Sequence, residues 1–225
     1  IPEEDMNIEN RPEIKNVLGF HVPGRFDKVL NIETCFLQND VQNNIRNRIR
    51  EYAIEKKYSF YNIRANTGFL RNLIIRTTTI GEIMVLLSVA ENNKEAINNI
   101  LNLVYEEFPE VTSLNYVINE KMNDSIHDLE VQHFLGKTHI EECLGSLRFK
   151  IRPKSFFQTN TLQAINLYKV VKEFSSVSED NIVFDLYTGT GTIANFIAAK
   201  VKKVIGIELI SEAIEDAREN ALLNG

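Results

Sequence analysis

Apolar positions recur along the chain with two alternating rhythms. Residues 17–20 and 28–32 have the spacing of two short strands, joined by a turn at Pro23-Gly24. Over residues 36–57, Val41, Ile45, Ile49 and Ala53 return every four positions, which predicts a helix with one buried face. A second hairpin is expected from residues 73–79 and 82–90 around Ile80-Gly81, its first arm dense in β-branched side chains. Ile97, Ile100, Leu101, Val104 and Phe108 mark another helix, which Pro109 stops. Strands at 111–119 and 130–134 complete an α+β central domain of antiparallel strands and two helices, expected to fill residues 1–150.

Near residue 150 the rhythm changes. A strand at 147–151 and the break at Pro153 lead into a helix at 161–174, with Leu162, Ile165, Val170 and Phe174 on its apolar side. Then follow a strand (182–186), a helix (192–200), a strand (204–208) and a helix (211–223), the last with Ser211 as its expected N-cap. Residues 151–225 thus predict the opening β-α-β-α of a Rossmann-like, doubly wound parallel sheet, and the chain as a whole is of the α/β class.

With 225 residues, 44% hydrophobic and 25% charged, the chain has a globular composition. Its longest apolar runs, such as Ile83-Met84-Val85-Leu86-Leu87, are far short of the roughly 20 residues a membrane helix needs, so no membrane partner is expected. The start, Ile1-Pro2-Glu3-Glu4-Asp5, has neither an initiator Met nor a signal-peptide pattern and reads as an internal fragment. Two cysteines, Cys35 and Cys143, cannot make a disulfide framework, which points to a reducing, cytoplasmic setting.

The net charge of −6 conceals a local reversal. Arg46, Arg48, Arg50, Lys56, Lys57, Arg64, Arg71 and Arg76 stand against only Glu51 and Glu55, interleaved with Tyr52, Tyr58, Phe60, Tyr61 and Phe69. Cations neutralise phosphates and aromatic faces stack on unpaired bases, so the mixture suits single-stranded or loop RNA, with Arg46, Arg50 and Lys57 as candidate contacts. A solvated helix face with core aromatics would give the same composition.

The densest chemistry lies at Asp185-Leu186-Tyr187-Thr188-Gly189-Thr190-Gly191-Thr192, between the first strand and helix of the parallel pattern. Gly189 and Gly191 let backbone approach a ligand at a helix N-terminus. Glu208, at the end of the next strand, has the position from which a carboxylate accepts hydrogen bonds from ribose hydroxyls. Two cofactor classes compete, because Gly189-x-Gly191-x-x-Ala194 also satisfies the relaxed dinucleotide fingerprint. Asp185 would repel a pyrophosphate but suits the ammonium of S-adenosylmethionine, which favours the methyl donor over a nicotinamide coenzyme.

Three segments, Ser155-Phe156-Phe157-Gln158-Thr159-Asn160, the turn just described, and Gly206-Ile207-Glu208 with Asn220-Ala221-Leu222-Leu223-Asn224-Gly225, closely resemble the RNA uracil-5-methyltransferase family. Leu18-Gly19-Phe20-His21 and Val29-Leu30-Asn31-Ile32-Glu33-Thr34-Cys35 resemble its central domain, so the likeness covers nearly the whole chain and is greatest to the 23S rRNA branch, with the tRNA branch next. The resemblance implies that Gln158, Tyr187 and Glu208 contact S-adenosyl-L-methionine, with Glu208 on the ribose, and that Phe156 belongs to an active-site wall that meets RNA; Asp185, Gly189 and Gly191 join the cofactor set from the reading of the turn, and Thr192 joins it at a position that can be Asn in relatives. Cys35 matches the fourth cysteine of an iron–sulfur cluster found in ribosomal RNA members, and such a cluster is expected only in a full-length protein.

Uracil C5 is a weak nucleophile, so its methylation needs a thiolate that adds to C6 and a base that later removes the C5 proton. The resemblance places both beyond residue 225, so no catalytic residue is expected in this chain, which should be inactive alone and dimerise through its incomplete sheet. A noncatalytic RNA-binding module with a partial Rossmann fold is the alternative from a different class.

Overall fold

The computed structural model describes residues 16–225. The chain divides into two compact units between Arg71 and Asn72. The change of rhythm near residue 150 falls inside the second unit.

In the first unit, β1 (Gly19–Val22) and β2 (Arg25–Asn31) form the expected hairpin, turning through Gly24 at φ +74°. Helix α1 (Asp40–Glu55) opens with a capping box in which the Asn39 side chain accepts from the Gln42 backbone and the Gln42 side chain accepts from that of Asn39. Ile45, Ile49 and Ala53 are buried, as their spacing predicts. Arg46 is buried with them, and its Nη2 donates to the Glu33 carbonyl at 2.8 Å.

A four-stranded sheet, in the second unit except for the first two residues of β3, has the order β3-β4-β5-β6: β3 (Leu70–Thr77), β4 (Ile83–Val89), β5 (Val111–Ile118) and β6 (Gln132–Gly136). The expectation of antiparallel strands throughout needs correction, because β4 and β5 pair in parallel, with α2 (Lys94–Glu107) as the crossover. Every residue of β4 is buried, the pattern of a strand covered on both faces. Parallel neighbours need such a helical connection, whereas antiparallel ones do not.

Sequence reading missed β7 (Ile140–Leu144), which forms an antiparallel hairpin with β8 (Leu147–Ile151). Glu141-Glu142-Cys143 looks like a polar loop. Glu142 is nonetheless 2% exposed, accepting from the Thr79 backbone N–H at 3.0 Å and from Thr161 Oγ1 at 2.7 Å, so its polarity is satisfied inside the fold.

Helix α3 (Thr161–Ser175) buries Thr161, Ala164 and Tyr168. The apolar side read from sequence is turned outward at Leu162 (69% exposed), Val170 and Phe174, and only Ile165 packs inward. The small Ala164 and the ring of Tyr168 fit against Leu144 and Phe149, and that packing fixes the buried face.

The parallel pair is β9 (Ile182–Leu186) and β10 (Lys203–Ile207), in register from Ile182↔Lys203 to Leu186↔Ile207. Helix α4 (Thr192–Ala198) connects them and α5 (Ser211–Asn224) follows, as the expected β-α-β-α requires. Ser211 is the first residue of α5 and not its cap. The N-cap is Ile210, whose N–H is taken by Glu208.

Candidate cofactor crevice

Between β9 and α4 the chain turns through five residues, three of them with unusual backbone. Tyr187 (φ +59°), Gly189 (+55°) and Gly191 (+78°) lie in the left-handed region, and a non-glycine there stores strain of about 1–3 kcal/mol. The Tyr187 ring is 90% exposed. A Cβ on Gly189 would meet nothing within 4 Å, so space opens in front of the turn, whereas one on Gly191 would press on Ala217 and Asn195 at 3.3 Å. Gly191 is therefore required for close packing of α4 on α5, and Gly189 for the turn.

Two carboxylates are tied to this turn. Asp185 Oδ2 accepts from Thr188 Oγ1 at 2.7 Å. Glu208 Oε2 accepts from the Gly189 N–H at 3.0 Å, and its Oε1 from the N–H groups of Leu209 (2.7 Å) and Ile210 (3.0 Å). These N–H groups, that of Ile210 first, hold the Glu208 carboxyl below the usual glutamate range, so it is anionic at neutral pH. A glycine-turn N–H at a helix start is where a phosphate would sit. Here a carboxylate has that place, and further lone pairs remain on its two oxygens for hydroxyl donors.

The segment carrying Phe156 and Gln158 lies against the same turn, because Thr190 Oγ1 donates to the Phe156 carbonyl at 3.4 Å. Phe156 is 73% exposed, and Phe157 packs inward against Phe149 with ring centres 5.9 Å apart. The structure thus brings together Asp185, Tyr187, Gly189, Gly191 and Glu208, with Gln158 two residues beyond the Phe156 contact. Thr192 differs: its Oγ1 bonds the Tyr168 hydroxyl at 3.1 Å and joins α4 to α3.

A set of side chains to which sequence reading gave no role fixes this geometry. Asn224, Asn220 and Asp216 stand at four-residue intervals on α5 and meet Arg148, Lys150 and Arg152 at two-residue intervals along and just past β8. Asn224 Oδ1 accepts from the Arg148 N–H at 2.9 Å and its Nδ2 donates to the Arg148 carbonyl at 2.8 Å. Asn220 does the same at Lys150, at 2.8 and 3.4 Å. Four helical residues rise about 6 Å and two strand residues about 6.6 Å, so the repeats match. The helix serves the edge of β8 as a neighbouring strand would. Asn220 Nδ2 also donates to the Thr190 carbonyl at 3.1 Å, which ties this ladder to the turn. The signal was present in the spacing of Asn220 and Asn224, but nothing in the sequence says which strand they meet.

Of the candidate RNA contacts in the first unit, Arg46 must be reinterpreted. It is 4% exposed and its guanidinium is held by Glu33 and Gln38, which makes it an internal tie. Arg50 is partly exposed and bonds Asn31 Oδ1 at 2.7 Å, and Lys57 is exposed just past the end of α1. Arg71 stacks over Tyr61 at 4.2 Å, and Arg48 and Lys56 lie over Tyr52 at 5.8 and 5.3 Å. Cys35 is half-buried and clamped through its backbone by Asn43. Among the described residues no group of three or more His, Cys, Asp or Glu gathers to hold a metal.

No family model matches the chain. It is 52% identical over 225 residues to a Bacteroides thetaiotaomicron protein and 49% identical over 229 residues to one from Porphyromonas gingivalis, covering 97% and 100% of this chain. Both carry the name uncharacterized RNA methyltransferase. The chain is homologous to proteins named RNA methyltransferases. It spans about half the length of these relatives, 50% and 49% respectively. Among solved structures it is similar to Pyrococcus abyssi tRNA (uracil-54, C5)-methyltransferase in complex with S-adenosyl-L-homocysteine, with a TM-score of 0.72 and 30% identity over 88% of this chain and 48% of that one. The Rossmann-like β-α-β-α is therefore that of methyltransferase neighbours.

Proposed function

We propose that the chain forms part of an S-adenosylmethionine-dependent methyltransferase that modifies C5 of uridine in RNA. The observation that carries this reading is the Glu208 carboxylate seated on the Gly189 N–H at the mouth of an otherwise open turn. It leaves an acceptor for ribose hydroxyls and puts negative charge where a dinucleotide would need its pyrophosphate. Asp185 adds to that charge and favours the cationic methionine end of the methyl donor, and the exposed Tyr187 ring offers a face to the adenosine. Gln158 and Phe156 close the crevice on the other side of Thr190.

The methyl donor supplies an electrophilic methyl on its sulfonium. This chain's part is to bind and orient that donor, and Phe156 presents the wall toward the incoming base. The thiolate that adds to C6 and the base that takes the C5 proton are provided by residues outside these 225. Cys143 lies opposite Arg148 in the β7–β8 hairpin and Cys35 is held by Asn43 before α1, so we assign neither to the chemistry. RNA is held in part by Arg50, Lys57 and the cation–aromatic surface of the first unit. The 23S rRNA substrate follows from the resemblance of the sequence motifs, and tRNA is the second reading, favoured by the Pyrococcus neighbour. Two free thiols fit a reducing, cytoplasmic location. Alone, the chain is expected to be inactive and to self-associate through the face of β9–β10 on which Ile182, Phe184, Leu186 and Ile207 are about half exposed.

The test uses the protein at the length of its relatives, with 23S rRNA and tRNA transcripts carrying tritium at uridine C5. Release of tritium to water in step with methyl incorporation, from one transcript only, supports the reading and names the substrate. Methyl incorporation without tritium release contradicts C5 chemistry.

A further inference from the structure

Ser155 is buried, and every polar group it has is engaged. Its N–H donates to the Arg152 carbonyl (3.0 Å), its carbonyl accepts from Arg76 Nη1 (2.7 Å), and its Oγ accepts from the Arg152 N–H (2.9 Å) while donating to Asp216 Oδ2. Asp216, 4% exposed, also takes Arg152 Nη1 on its other oxygen. Arg152 Nη2 bonds Glu219 at 2.6 Å. An ion pair beyond the end of a strand is not needed to hold that strand, since Asn220 and Asn224 already satisfy the edge of β8. What the Asp216 cluster holds is the first residue of the segment 155–158, whose next residue touches Thr190 in the crevice. Glu208 precedes the same helix and accepts from the N–H of its N-cap, Ile210, which lies about 9 Å from Asp216 along the axis. Helix α5 therefore carries the anchor of the wall, and the Glu208 carboxylate is bonded to the N–H of its N-cap.

We propose that Asp216 is a positioning residue that sets the Phe156–Gln158 wall against the Gly189–Gly191 turn, at a fixed distance from Glu208. The proposal rests on the reading of the crevice as a site for S-adenosylmethionine. Adenosine engages the Glu208 end, and the homocysteine portion extends toward the wall, so loss of the anchor separates the two halves of the ligand.

The test compares Asp216→Asn and Ser155→Ala with the unaltered protein at the length of its relatives, titrated with S-adenosylhomocysteine and with adenosine. Hydrogen exchange of the Phe157 and Gln158 amides is followed without ligand. Both variants should weaken S-adenosylhomocysteine about tenfold, keep adenosine within about twofold, and exchange the two amides faster while β9 stays protected. Unchanged exchange at Phe157 and Gln158, or equal weakening of both ligands, overturns the positioning role. Failure of the unaltered protein to bind either ligand, with exchange responding as stated, overturns the cofactor reading and leaves the mechanical role of Asp216 standing.

Discussion

Replacing Asn220 with Ala tests whether α5 holds the crevice through its asparagine ladder. The side chain is 0% exposed and makes two bonds of ordinary length, to the Lys150 N–H and the Thr190 carbonyl, and a longer one to the Lys150 carbonyl. A net hydrogen bond contributes about 0.5–1.5 kcal/mol, and a buried partner left bare costs about 1–3 kcal/mol. Thr190, 3% exposed, is the partner that water reaches least. Together these give about 2–4 kcal/mol for Asn220→Ala. Asn224→Ala removes an equivalent pair at Arg148, but in a solvent-exposed setting, and should cost about 0.5–1 kcal/mol. Urea unfolding followed by circular dichroism, with the slope unchanged between variants, measures both. Equal costs for the two substitutions would refute the claim that Asn220 links strand edge and turn as one buried unit.

Other consequences follow from the same geometry. Because the folded-state Glu208 carboxyl titrates below its ordinary value of 4.5, its contribution to stability is fully present above that value and is lost as pH falls through the lower, folded-state one. Thermal midpoints of Glu208→Gln and the unaltered chain should converge only in acid and differ by a constant amount from pH 6 to 8. For RNA, Arg50→Ala with Lys57→Ala should reduce the slope of log affinity against log salt by roughly 0.7–0.9 per lost phosphate contact. Arg46→Ala should lower the thermal midpoint, because it empties a buried tie to Glu33, and should leave that slope unchanged.

The turn was legible because its chemistry is local: Asp185, Gly189, Gly191 and Glu208 are set by a strand end, a helix start and the next strand end, all of fixed spacing. The helices α1 and α2 were legible for the same reason. What could not be read was partnership at a distance. Strand β4 gave no sign that β5 runs parallel to it, since a wholly buried strand lacks the alternation that reveals orientation. Glu141-Glu142-Cys143 concealed β7, whose buried carboxylate is satisfied by Thr79 and Thr161, residues far apart in sequence. In α3 two apolar stripes compete, and the one chosen by tertiary packing is the smaller. Arg46 shows the same limit from the other side, as a cation in a basic run that the fold has turned inward.

The central claim is that the crevice takes S-adenosylmethionine through Glu208. Calorimetric titration of the protein, at the length of its relatives, with S-adenosylmethionine and with a nicotinamide dinucleotide measures this directly. The account predicts saturable binding of the methyl donor, weakened by about 1.5–3 kcal/mol in Glu208→Ala, and no comparable binding of the dinucleotide. An affinity for S-adenosylmethionine that Glu208→Ala leaves unchanged, or tighter binding of the dinucleotide, would contradict it.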